Sequence, residues 1–250
     1  MKKRRLFSLF LSFALLLPLF SLTSADAYED FDLDAKAGLL IEADTGEILY
    51  EKNAHQENFP ASLTKVMVAL LVFEAIDEGK IALTDSVTAT ESAFEGLSSD
   101  GSTANIVPGE TMTVEQLLNC MLIVSANEAC NILGETLYGS VDAFVARMNE
   151  RATELGCEHT HFANATGLHN SQHYTTAWDL YLITREAMKH DKFMEICNSK
   201  SYTVPATNMT DKPRELHSTN FLISNWRARG YVYRDAQGIK TGSTEEAGHC

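Results

Sequence analysis

The sequence predicts an α+β fold, in which strands from both ends of the chain build one antiparallel sheet around an inserted helical block. Three observations predict it. Two strand-like runs flank a D-x-G turn near the start, helical spacing with capping residues fills the middle, and the closing segment is extended and rich in turn residues. Terminal strands around a helical insert require the two ends to meet in one sheet.

The first element is a β-hairpin. Ala37-Gly-Leu-Leu-Ile-Glu42 and Glu47-Ile-Leu-Tyr-Glu51 are the two arms, and Asp44-Thr45-Gly46 is the turn. From Ser62 to Gly79 the period changes. Val66, Leu70, Phe73 and Ile76 recur at three and four residues, with Ala69 and Leu71 beside them. That is a helix with a broad apolar face, largely buried, preceded by Pro60 and ended by Gly79. Residues 84–110 are rich in Ser, Thr, Gly and acids without a sustained period, which predicts loops and short turns. Thr113-Val-Glu-Gln116 is a capping box ahead of Leu117, Leu118, Met121 and Leu122, so a second helix runs to about Val124. A third spans about Glu128 to Leu137. Ser140 caps a fourth that reaches Leu155, with Gly156 as its stop, and Thr176 caps a fifth through Met188. Strand candidates follow at Tyr202–Val204 and Gly238–Thr241.

The N-terminal residues stand outside this fold. Lys2, Lys3, Arg4 and Arg5 precede an apolar run from Leu6 to Leu22, and Ala25-Asp26-Ala27 supplies small residues at alternate positions. This is the pattern of a secretory signal peptide cleaved after Ala27, with an uncleaved anchor as the alternative. Residues 28–36 then form a loose polar leader, and 37–250 one folded domain. Losing four cations and one anion takes the net charge from −14 to −17. So acidic a surface repels phosphates and excludes nucleic acid as a partner. The five cysteines contain no C-x-x-C and are expected to be free, buried, small apolar side chains. Glu74, Asp77 and Glu78, and likewise Arg147 and Arg151, are expected on solvated helix surfaces.

Three short motifs carry chemistry. In Ser62-Leu-Thr-Lys65, a serine and a lysine three apart at a helix start share one face. A serine hydroxyl needs a base to become a nucleophile. Lysine is that base when desolvation removes its proton. Free N–H groups at a helix start suit a developing oxyanion. Ser125-Ala-Asn127 falls in the break between two helices, where a hydroxyl and an amide can point the same way. Lys240-Thr-Gly242 offers a charge and a hydroxyl for a carboxylate, and glycine lets a ligand come close. The next residue, Ser243, has an N–H to lend. Taken singly, each motif also describes something plain: a capping serine with a solvated lysine, an ordinary turn, a β-turn. Ser218-Thr-Asn220 repeats the second pattern. The order S-x-x-K, S-x-N, K-T-G, each in fitting context, is the set found in class A β-lactamases and penicillin-binding proteins.

The chain resembles the serine D-Ala-D-Ala carboxypeptidases, the low-molecular-mass penicillin-binding proteins of the β-lactamase-like superfamily. The resemblance extends through the run from Leu39 to Tyr50, Pro60-Ala-Ser-Leu-Thr-Lys-Val-Met67, Asn164-Ala-Thr-Gly-Leu168 with His173-Tyr-Thr-Thr176 and Asp179-Leu180, and Gly238-Ile-Lys-Thr-Gly242. It implies that Ser62 is acylated and Lys65 activates it. Ser125 and Asn127 assist proton transfer and positioning, Lys240, Thr241 and Gly242 bind the terminal carboxylate, and the N–H groups of Ser62 and Ser243 form the oxyanion hole. The implied reaction removes the last D-Ala from peptidoglycan stem peptides on the outer side of the cytoplasmic membrane. β-Lactams would acylate the same serine, and no metal or other cofactor is implied. That family carries two more strands and a C-terminal helix after K-T-G, lying between it and the opening hairpin. A chain ending at Cys250 is therefore expected to be truncated, with no membrane anchor visible.

The rivals within this fold are a β-lactamase and a DD-endopeptidase. A non-enzymatic penicillin-binding sensor would acylate without turning over. A metal-dependent hydrolase would use His159, His161, His169 and His173, of which the last two are four apart, although there is no H-E-x-x-H.

Overall fold

The computed structural model describes residues 33–250. The expected signal peptide and most of the leader lie outside these residues. Contacts group the chain into Met1–Ala35 and Lys36–Cys250, and the architecture below is that of the second group.

The opening hairpin pairs β1 (Gly38–Ile41) with β2 (Ile48–Lys52), with a bulge at Leu40/Ile41. Its turn is closed by Glu42, whose carboxylate accepts the Thr45 N–H at 2.7 Å and the Thr45 hydroxyl at 2.5 Å. A 3₁₀ turn, Ala61–Thr64, then leads into α1 (Lys65–Asp77). Every residue from Lys65 to Phe73 is buried, so α1 is a core helix enclosed on all sides. Around it pack α2 (Val114–Ile123), α3 (Asn127–Tyr138), α4 (Val141–Glu154) and α5 (Ala177–Ala187), and α6 (Asp191–Cys197) packs on α2.

The helix ends follow the sequence signals. Thr113 and Gln116 cap each other at 3.2 and 2.9 Å, Ser140 accepts the Ala143 N–H and Thr176 accepts the Asp179 N–H. Gly139 and Gly156 end α3 and α4 with φ of 80° and 82°. The α4 stripe is narrow: Phe144, Met148 and Ala152 are its buried residues.

Several features depart from expectation. Region 84–110 contains β3 (Ser86–Thr88), paired with β4 (Thr111–Thr113), and a 3₁₀ turn at Ser92–Phe94. Three-residue strands are too short to show a period. Strand β5 (Ser201–Val204) pairs with the unforeseen β6 (Arg214–His217). Helix α6 has no side-chain cap to announce it. Arg151 is not on a solvated face: it reaches Glu74 on α1 through Nε at 2.9 Å and Nη2 at 2.7 Å, tying α4 to the core helix.

The α+β class holds, but the expected single sheet from both chain ends does not form among the described residues. The strands make four separate antiparallel pairs, the last being β7 (Ser243–Thr244) with β8 (Gly248–His249). Nor is Gly238–Thr241 a strand. Gly238 has φ 55° and its carbonyl accepts from the Asn220 side chain at 2.6 Å rather than from a neighbouring strand. Ladder pairing starts at Gly242, which exchanges both backbone bonds with Cys250 at 3.1 and 2.9 Å.

Gly134 on α3 meets α4 without room for a side chain. A Cβ there would lie 2.2 Å from Phe144 Cδ1, and Phe144 is fully buried. Gly134→Ala is expected to lower stability by about 1–3 kcal/mol through overpacking, despite the better helix propensity of alanine. A urea midpoint equal to or above that of the parent would show that Phe144 can move aside.

Candidate active site

Ser62 sits in the 3₁₀ turn, immediately ahead of the α-helix proper. The backbone that carries it is confined. Ala61 has φ 46°, a left-handed conformation costly for alanine. Two glycines lie against it. A Cβ on Gly167 would fall 1.9 Å from the Ala61 carbonyl oxygen, and one on Gly242 would fall 3.2 Å from the Ser62 nitrogen. Gly242 brings the K-T-G segment to Ser62, and β7 contacts the turn itself.

Lys65 is the hub. Its side chain is fully buried, and Nζ lies 3.0 Å from Ser62 Oγ, 2.8 Å from Asn127 Oδ1 and 2.5 Å from the Thr166 carbonyl. Burial pulls its ammonium well below the ordinary lysine range, against weaker opposing pulls from Cys130 and Glu128. A neutral amine has two N–H donors and one lone pair. The amide and carbonyl oxygens can only accept, so they take the two hydrogens. In that neutral form the lone pair would face the Ser62 hydroxyl, whereas the ammonium donates to all three oxygens.

Thr166 is aimed by a local network. Asn164 Oδ1 accepts from Thr166 N, Thr166 Oγ1 and Gly167 N, and Asn164 Nδ2 donates to the Leu168 carbonyl. This Asx-type loop places one carbonyl on Lys65 and one glycine on Ala61.

Ser125 precedes α3 with φ 66°, and its Oγ is buried with no hydrogen-bond partner among the described residues. Lys240 is half-buried and donates to the Thr241 carbonyl at 2.7 Å. Burial, and after it the charge of Lys65, bring its pKa down to about 7. Thr241 Oγ1 meets Thr219 Oγ1 at 2.7 Å, and Thr219 N–H donates to the carbonyl of Ile123 at the end of α2. Gly242 and Cys250 form a doubly bonded pair, so by alternation Ser243 and His249 form the non-bonded one. The Ser243 N–H therefore points away from β8.

The structure thus brings Ser62, Lys65 and Asn127 into direct contact, with Gly242 against Ser62. Ser125, Lys240 and Thr241 make no direct bond to that group. A cleft of about 400 Å³ opens over Ser62, Asn127, Gly167 and Ser243, with Ser98–Ser102 as one wall. That wall comes from the aperiodic region, where nothing in the sequence marked it.

The four histidines do not cluster. His159 faces Glu57 and His161 Nδ1 the Gln172 carbonyl, while His169 packs edge-on to Phe59 and His173 is buried against Thr64. Among the described residues no three His, Cys, Asp or Glu side chains come together as metal ligands. Four cysteines are buried and all five are free, Cys250 being exposed.

The model of the D-alanyl-D-alanine carboxypeptidase family matches residues 23–250. D-alanyl-D-alanine carboxypeptidase DacF of Bacillus subtilis is 39% identical over 217 residues, 87% of this chain and 53% of that protein. The D-alanyl-D-alanine carboxypeptidase of Streptomyces sp. K15 is 31% identical over 239 residues, 91% of this chain and 78% of that protein. Among solved structures, the Streptomyces K15 DD-transpeptidase superposes with a TM-score of 0.78 at 30% identity, covering 89% of this chain and 85% of that one. PBP3 of Streptococcus pneumoniae, described as a peptidoglycan synthesis regulatory factor, gives 0.76 at 30% identity, with 88% and 61% covered. The chain spans about half the length of several curated relatives, 53% of DacF and 52% of Escherichia coli DacC.

Burial, followed by the charges of His161, Lys65 and His169, lowers the pKa of His173 to about 4. The unfolded chain keeps an ordinary histidine value, near 6.5, so it binds more protons between those limits. Stability is therefore full above about pH 6.5 and falls as pH drops through 4, by about 3 kcal/mol from this residue. Urea midpoints at pH 7 and pH 4 measure the difference. It is expected to shrink in His173→Gln, and an unchanged difference would assign the acid sensitivity to other groups.

Proposed function

Since the chain belongs to the D-alanyl-D-alanine carboxypeptidase family, we propose that it is a serine hydrolase that cleaves the terminal D-Ala from peptidoglycan stem peptides through an acyl-enzyme. The observation that carries this reading is the fully buried Lys65, whose Nζ lies 3.0 Å from Ser62 Oγ and also meets Asn127 Oδ1 and the Thr166 carbonyl, so that its neutral form would turn a lone pair to Ser62.

Ser62 Oγ attacks the carbonyl carbon of the D-Ala-D-Ala bond while its proton passes to Lys65 Nζ. The oxygen that becomes negative accepts hydrogen bonds from the N–H groups of Ser62 and Ser243, the second freed by the β7–β8 register. As the tetrahedral centre collapses, the C–N bond breaks. The leaving amine takes a proton from Lys65 by way of Ser125, whose buried hydroxyl has no other partner among the described residues. Asn127 holds Lys65 and the substrate carbonyl. Lys240 and Thr241, with Gly242 leaving room, receive the terminal carboxylate. Water then attacks the acyl ester, and Ser62 recovers its proton. A β-lactam offers an amide to the same serine, but its ring-opened leaving group stays attached. The charged head, apolar run and A-x-A of residues 1–27 support export to the wall side of the membrane.

A fluorescent penicillin is expected to add once to the parent, seen as one mass increment, and not at all to Ser62→Ala. Lys65→Gln is expected to slow acylation by roughly 10²–10⁴-fold. Release of D-Ala from a D-Ala-D-Ala peptide then separates a hydrolase from a sensor. A folded parent that forms no adduct would remove this mechanism.

A further inference from the structure

We propose that His173 is a positioning residue for the nucleophile, holding Ser62 in line through the Thr64 hydroxyl and the Ala61 carbonyl. It acts within the serine mechanism proposed above and rests on that reading.

The hydrogen bonds fix a direction. His173 is buried, and its Nδ1 lies 3.1 Å from the Ala163 N–H. A backbone amide can only donate, so Nδ1 is the acceptor and the ring proton is on Nε2. Nε2 lies 2.8 Å from Thr64 Oγ1, which accepts it. The single hydrogen of Thr64 then points to the Ala61 carbonyl at 2.8 Å. The chain runs one way only: Ala163 N–H to His173, His173 to Thr64, Thr64 to Ala61.

Its end point is strained. Ala61 holds φ 46°, and its carbonyl packs against Gly167 too closely for any Cβ. A left-handed alanine reverts to common backbone angles unless neighbours hold it. Reversion would rotate the Ala61–Ser62 peptide and carry the Ser62 amide and Oγ with it. The Thr64 bond opposes this.

The same strand-like stretch clamps the other end. Thr175, two residues after His173, exchanges both backbone bonds with Asn58 at 2.8 and 3.0 Å. Residues 58–64, which carry Ser62, are thus fastened to 173–175 at each end. Phe162 packs edge-on to the His173 ring at 5.7 Å and fixes its plane. His173 does not line the cleft and its ring bonds go to Thr64 and Ala163, so its part is orientation.

The test is the second-order acylation rate with fluorescent penicillin in Thr64→Ser, Thr64→Val, His173→Asn and the Val/Asn double variant, with a thermal melt for each. Thr64→Ser keeps the hydroxyl and is expected within about threefold of the parent. Thr64→Val keeps the shape and His173→Asn keeps the acceptor for Ala163 but cannot reach Thr64. Each is expected to fall by ~10²-fold, the scale of an ångström misplacement. The double variant is expected to be no slower than either single one, because a broken chain cannot be broken twice. Folded Thr64→Val acylating at the parent rate would overturn the proposal, as would losses that multiply in the double variant. If His173→Asn does not fold, the Ser and Val pair at Thr64 decides alone. A parent without any adduct would count against the serine mechanism. Nitrogen-15 NMR of His173 is independent of that outcome: an Nδ1–H or doubly protonated ring at pH 7 sinks the positioning chain whether or not penicillin reacts.

Discussion

A lysine amine sealed from water at the head of the core helix is the constraint around which this structure is arranged. An ammonium in that position has lost its hydration and regains only what its neighbours offer. Three oxygens reach it: Ser62 Oγ, Asn127 Oδ1 and the Thr166 carbonyl. They come from the 3₁₀ turn, the first residue of α3 and the Asx loop, so three distant pieces of chain must converge for one side chain to be buried. Val66 to Phe73 of α1 are apolar and buried on every side and supply the enclosure. The neutral form relieves the desolvation, and it is also the form with a lone pair to use.

Convergence has a local cost. Ala61 and Ser125, both without the freedom of glycine, have φ of 46° and 66°. Each such residue stores about 1–2 kcal/mol. Ala61 precedes Ser62, and Ser125 is itself part of the proposed machinery, so an ordinary backbone would aim the Ser62 or Ser125 hydroxyl elsewhere. The strain at Ala61 persists because the surroundings over-determine it. Gly167 and Gly242 press on the turn, and Thr64 holds its carbonyl.

What could be read in the sequence was local. The capping box at Thr113–Gln116, the Ser140 and Thr176 caps and the glycine stops lie within a few residues of what they organise, and the structure has them there. The three motifs were visible as strings, and S-x-x-K and S-x-N meet because α1 and α3 pack together. Long-range pairing was not legible. The segment Gly238–Thr241 has the composition of a strand, yet pairing depends on a partner, and the groups that meet it are the side chains of Asn220, Thr219 and Lys240 rather than a neighbouring strand. The cleft wall at Ser98–Ser102 comes from a stretch with no period. His173 stood in the sequence as part of a family signature and as a candidate metal ligand, and not as a partner of Thr64, which is 109 residues away.

The two lysines of the proposed site sit in unequal surroundings. Lys65 and Lys240 repel, so they share a titration rather than having independent ones. Lys65 is fully enclosed with oxygens that satisfy an amine. Lys240 is half-buried and keeps access to solvent. Burial lowers both, and an ammonium is the more costly in the enclosed position. The proposed roles use that difference, with Lys65 as the base beside Ser62 and Lys240 as the partner of the carboxylate beside Thr241. Environments that push paired groups apart assign acid–base roles without any difference in residue type. In the proposed mechanism a difference in burial, rather than in residue type, separates the base from the anchor.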